Sequence, residues 1–191
     1  MTARTHDMLA FSSLVSAAAY FPPSDINLPT LFAAFVGCTV GSLIPDMDQG
    51  SNRLWDLLPG GDFVGRVFRR VFLGHRSLSH SLLGLYIFYR LMDWFLPRLL
   101  NTPFIDPQVL LWSVMIGLVS HVAADGLTEE GIPLFFPFGF KVGFPPIRRW
   151  RIKTGGWFEN LVIFPGTLAY LFFFIHGHQN QLLGLLRLVT G

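Results

Sequence analysis

The chain has 191 residues, of which 51% are hydrophobic, 15% aromatic and only 14% charged, with a formal charge of +2. Soluble domains carry charge on about a quarter of their residues, so this composition excludes an ordinary water-facing surface and points to a bilayer. The single cysteine, Cys38, excludes an intramolecular disulfide and any multi-cysteine zinc site. It lies in an apolar run and reads as a small buried hydrophobe.

Five apolar segments of helix length follow one another, at residues 8–21, 28–44, 78–96, 109–127 and 157–175. They predict an all-α, polytopic membrane bundle of about five spans, and with no internal repeat or linker the whole of 1–191 reads as one domain. The first segment is short, whereas the last three approach the roughly 20 residues that cross a hydrocarbon core. The second carries Gly37 and Gly41, a small-xxx-small spacing suited to close helix contact. Pro22-Pro23 breaks the first segment from the second, and the stretch 97–107 breaks the third from the fourth. Between the second and third, Arg66, Arg69 and Arg70 interleave with Phe63, Val67, Phe68, Val71 and Phe72, the pattern of an amphipathic helix on anionic headgroups. Arg90 and Asp93, three apart inside the third segment, are expected to pair.

Eleven of the fourteen Lys and Arg residues fall at the amino end or in the loops after the second and fourth segments. Lys and Arg accumulate on the cytoplasmic side, so the amino terminus is expected there. Arg4, the apolar stretch and Ala17-Ala18-Ala19 also resemble a cleavable leader, against which stands the pair His6-Asp7.

Polar clusters interrupt the apolar pattern at the segment ends. His6 opens the first, Asp46 and Asp48 close the second, His75 and His80 open the third, His121 and Asp125 close the fourth, and Glu159 opens the fifth. Alternating spans bring all of them to one face, expected to be the cytoplasmic one. His121 and Asp125, at i and i+4, share a helix face, while Asp46 and Asp48 follow a proline that discourages further helix. Ionisable groups in such apolar surroundings are costly unless they pair, face a cavity or bind a cation. Mixed imidazole and carboxylate ligands suit zinc, with manganese or iron as alternatives, and the number of ligands allows more than one ion. His176 and His178 lie at the opposite end of the fifth segment and read as interfacial residues.

Three blocks carry a family resemblance: Gly-Ser-Leu-Ile-Pro-Asp-Met-Asp at 41–48, Gly-His-Arg-Ser-Leu-Ser-His-Ser-Leu-Leu at 74–83, and Ser-His-Val-Ala-Ala-Asp-Gly-Leu-Thr-Glu-Glu-Gly-Ile-Pro-Leu at 120–134. They resemble the YdjM-like inner-membrane family, described as membrane-bound metal-dependent hydrolases. The resemblance implies metal ligation by Asp46, Asp48, His75, His80, His121 and Asp125, less directly by His6 and Glu159, and a distant likeness to zinc-dependent phospholipase C. Gln49 departs from the family, which commonly has His there.

These readings predict a metal-dependent hydrolase of phosphoesters, with membrane lipid or a lipid-linked phosphate as substrate. Asp46 or Asp48 would act as general base and Arg76, with Lys153, would hold phosphate. Two alternatives stand beside it. One is a non-enzymatic membrane protein with a structural metal; the other is a metal-free lipid phosphatase with His121 as nucleophile, which lacks the Pro-Ser-Gly-His block of that design. A basic face attracts any polyanion, but regular phosphate-tracking motifs are absent, so nucleic acid is not the expected partner.

Overall fold

The computed structural model describes residues 1–47, 78–100 and 103–190. Asp48, Gln49, the amphipathic stretch 63–72, His75 and Arg76 lie outside them. The described residues form six α-helices and no strand: α1 (Ala3–Tyr20), α2 (Leu28–Leu43), α3 (Leu82–Leu99), α4 (Pro107–Gly126), α5 (Phe164–Gly177) and α6 (Gln179–Thr190). A 3-10 turn, Ile44–Asp46, continues α2; another, Leu78–His80, precedes α3; and a π-helical turn, Glu159–Ile163, leads into α5.

Local sequence sets the helix starts. The Asn27 side chain accepts from the Thr30 amide at 2.8 Å, and Pro29 occupies the first turn, where no amide partner is needed. Asp106 caps α4 by accepting from the Gln108 amide at 2.7 Å, with Pro107 behind it. Its own amide donates to Thr30 Oγ1 at 3.0 Å. That bond places the starts of α2 and α4 side by side, so the two helices run parallel.

Glycine lets their backbones touch. A Cβ on Gly41 would sit 2.1 Å from the Val114 carbonyl oxygen, and one on Gly117 2.0 Å from that of Cys38. In lipid, where the apolar surroundings give helices little reason to associate, such close packing is a main source of cohesion. Toward one end of this pair Ile44, Met47, Val114, Leu118, Val122 and Ile132 form the main buried cluster. Cys38 packs in a second with Ala10 and Leu14, as expected of a buried hydrophobe. The first helix is part of this packing.

Among the described residues, three helical segments are long and apolar enough to cross a membrane: Leu28–Asp46, Pro107–Gly126 and Glu159–Gly177. Five were counted from sequence. The segment expected at 78–96 becomes α3, which carries Arg90, Asp93 and Arg98, and among the described residues Arg90 and Asp93 form no ion pair. Arg98 instead lies over the Trp94 ring, 4.4 Å from its centroid. Only 11% of the Glu159–Gly177 window is buried, so its Phe172 and Phe173 look outward, as lipid-facing side chains do.

Candidate metal centre

The helix ends meet. The Glu159 carboxylate at the start of the π-helical turn accepts from the Thr2 amide at 2.6 Å and the Thr2 hydroxyl at 2.7 Å, joining it to the start of α1. The Met1 amino group donates to Asp125 Oδ1 at 2.6 Å, joining the start of α1 to the last turn of α4. Asp46, from the turn that ends α2, and His80, from the turn that begins α3, close the remaining sides. Successive helices therefore enter and leave this one end, while the Thr30–Asp106 bond marks the other.

Asp46, His80, His121 and Asp125 each present one ligand atom, and those atoms all lie within 4.8 Å of one another. Imidazole and carboxylate alternate around the ring. His80 Nε2 is 3.7 Å from Asp46 Oδ1 and 3.5 Å from Asp125 Oδ2. His121 Nε2 is 3.7 Å from Asp46 Oδ2 and 3.8 Å from Asp125 Oδ2. The gaps of 3.7 and 3.8 Å are too long for hydrogen bonds. They approach the roughly 3.3–3.5 Å that separates neighbouring ligands of one tetrahedral zinc ion.

A metal fits this site for two further reasons. Asp46 Oδ1 and His121 Nε2 are buried and make no hydrogen bond among the described residues. Buried groups of this kind are costly without a partner, and a cation would supply one to both. The second reason is orientation. His121 Nδ1 lies 2.5 Å from the Ser42 carbonyl, which can only accept, so Nδ1 carries the proton and Nε2 offers its lone pair to the centre. Ser79 Oγ sits 3.1 Å from His80 Nδ1 and likewise turns His80 Nε2 inward.

His6 joins as a flanking residue. Its ring stacks on His121 with centroids 3.7 Å apart and planes 6° from parallel, and its Nε2 is 3.2 Å from Asp125 Oδ1. Asp125 thus has one oxygen toward His6 and Met1 and the other toward His80 and His121. Glu159 is fully buried nearby, but its oxygens are engaged by Thr2 and by the Gly155 amide at 2.7 Å. Its hydrogen bonds make it a latch for the amino end, and it stands outside the ring of four. His178 is remote, stacked on Phe174 with centroids 4.1 Å apart. Ser42, Ser79 and Thr2 were not singled out beforehand, and only Ser79, next to His80, carried a sequence signal.

These features define a class: a helical membrane protein whose helix ends and turns converge on a buried histidine and aspartate centre. The chain matches the family described as YdjM inner membrane protein over residues 1–188, and it belongs to that family. It is similar to the uncharacterized protein YvsG of Bacillus subtilis (strain 168), 34% identical over 182 residues that cover 94% of this chain and 99% of that one. It is also similar to the inner membrane protein YdjM of Escherichia coli (strain K12), 32% identical over 103 residues, 54% of this chain and 48% of that protein. No solved structure matches it.

Proposed function

We propose that this protein is a divalent-metal-dependent hydrolase of phosphoesters, with its centre at the cytoplasmic face of the inner membrane and a phospholipid or lipid-linked phosphate as substrate. The observation that carries the reading is the ring of Asp46, His80, His121 and Asp125, whose ligand atoms lie within 4.8 Å of one another at the end of an apolar bundle. Zinc is the preferred ion on ligand chemistry, with manganese or iron next. When bound, such an ion polarises a phosphoryl oxygen and activates a water nucleophile.

The chain's own residues supply the rest. His80 and His121 present their Nε2 atoms, and Asp125 balances charge from a fully buried position. Asp46 differs from those three: its side chain is 25% exposed against 0–2% for theirs, so it faces the accessible edge. That asymmetry favours catalysis over a purely structural metal, which closes its coordination shell. In this reading Asp46 orients the attacking water and accepts its proton. Asp48, His75 and Arg76, outside the described residues, are proposed as further ligands and, for Arg76, as a phosphate clamp. Five helices crossing in alternation, with a cytoplasmic amino terminus, would place the centre at the inner leaflet.

The test is elemental analysis of detergent-purified wild type beside His80→Ala and Asp46→Ala, with release of phosphate or headgroup from a lipid panel measured in parallel. Stoichiometric metal in the wild type, lost in both variants together with turnover, is expected. Stoichiometric metal with no turnover on any substrate would leave a structural centre, and chelator-resistant turnover would point to metal-free chemistry at His121.

A further inference from the structure

The segment between α4 and the π-helical turn has a surface that the metal centre does not explain. Residues 131–158 contain Lys141, Arg148, Arg149, Arg151 and Lys153 and no acidic residue. Its aromatic side chains are turned outward, with Phe138 67%, Phe140 55%, Phe144 68% and Trp150 71% exposed. Phe140 joins Phe135 and Phe138 into one patch, with ring centroids 5.8 and 6.4 Å away.

The display is built into the fold. Ile132 and Val142 exchange two backbone hydrogen bonds of 2.8 Å, and the Phe144 amide donates to the Gly126 carbonyl at 2.8 Å. Arg151 is spent internally, donating to the Pro145 and Pro146 carbonyls at 2.7 and 3.1 Å. Lys141, Arg148, Arg149 and Lys153 remain exposed. The segment hangs from the end of α4 that bears His121 and Asp125, and the Leu82 amide at the start of α3 donates to its Leu134 carbonyl at 3.0 Å. It therefore sits level with the helix ends, where an apolar span gives way to headgroups.

Exposed aromatic rings beside exposed cations, with Glu129 and Glu130 confined to the first turn after α4, match one environment, the headgroup and acyl boundary of an anionic leaflet. We propose that the segment 133–153 is an interfacial anchor that seats Phe135, Phe138 and Phe140 below anionic lipid headgroups and sets Arg148 and Arg149 against their phosphates. The anchor holds the mouth of the centre at headgroup depth. The inference rests on the membrane setting of the proposed function and needs neither the metal nor turnover.

Cys38 is the only cysteine and is buried, so Phe138→Cys can carry an NBD fluorophore on the intact chain, with unmodified protein as the labelling blank. In nanodiscs of phosphatidylglycerol and phosphatidylethanolamine, blue-shifted emission is expected, quenched by nitroxide lipids at about 5–10 Å depth and not by aqueous iodide. Adding Arg148→Gln and Arg149→Gln should weaken nitroxide quenching in these discs to the level seen in phosphatidylcholine. Iodide quenching without nitroxide quenching would overturn the anchor, and unchanged nitroxide quenching in the charge variant would overturn its anionic-lipid preference. Protection from iodide that appears only with added RNA would assign the face to a soluble polyanion and overturn it too. Metal content, measured on the same samples, should equal that of the wild type, so failure here is distinguishable from failure of the metal centre.

Discussion

The two ring nitrogens of His121 face opposite demands: Nδ1 donates to the Ser42 carbonyl, and Nε2 looks at the Asp46 and Asp125 carboxylates. Partners of the non-ligating nitrogen raise ligand basicity and fix the ring, and losing one typically weakens metal binding about 10–100-fold. Ser79→Ala, which removes the hydroxyl beside His80 Nδ1, is expected to weaken affinity within that range without abolishing stoichiometric binding, as read by competition with a chromogenic chelator. Glu159→Gln gives the opposite contrast. Its carboxylate holds Thr2 and Gly155, so the variant should keep full metal stoichiometry and lose stability, by about 1–3 kcal/mol if one buried amide is left without an acceptor. Loss of metal at unchanged stability would make Glu159 a ligand after all. His6, Asp46, His80, His121 and Asp125 were legible in the sequence because each is an ionisable residue that apolar surroundings must account for. At Glu159 the sequence does not separate a latch from a ligand, because both occupy the same place at a helix start. The Ser42 carbonyl was invisible, since every residue has one.

At the level of elements, the contact between α2 and α4 decides whether the ligands meet. Gly41 lies against the Val114 backbone, which cannot step aside as a flexible side chain would. Gly41→Ala is therefore expected to cost about 1–3 kcal/mol, seen as a lower unfolding temperature in detergent. Gly166→Ala, in α5 with nothing within 4 Å, should leave stability level or raise it. The small-xxx-small spacing of Gly37 and Gly41 announced this contact, and Pro45 and the stretch 97–107 marked helix limits, whereas the caps at Asn27 and Asp106 emerge only in the structure. The number of membrane-competent helices was less legible. α3 has the right length, but Arg90, Asp93 and Arg98 keep it out of the helices that length and composition alone mark as spans.

For the whole molecule, the two ends of the bundle make a topological prediction. Residue 104, beside the start of α4, and residue 138, beyond its end, should lie on opposite sides of the membrane. Single cysteines placed there should react with an impermeant maleimide in opposite vesicle orientations, and equal reactivity in one orientation would defeat a crossing α4. The convergence of distant residues at one end was deduced from alternation alone, because each apolar segment reverses the direction of the chain. Which leaflet faces the centre is a separate question, answered by the same labelling.

The scatter of the ligands along the chain also governs when the centre can come into being. A nascent chain that has emerged only as far as Gly117 holds His6, Asp46 and His80 but neither of the α4 residues, whereas the glycine seam can already have closed. If the proposed ion binds, its loading is thus a late event, a lock turned after insertion and not a template for it. An ion that binds only the finished bundle adds its binding energy to the unfolding cost, about 4 kcal/mol at a thousandfold excess over its dissociation constant. Stripping the ion should therefore leave a protein that still inserts and still packs α2 on α4, yet yields sooner to heat and to protease.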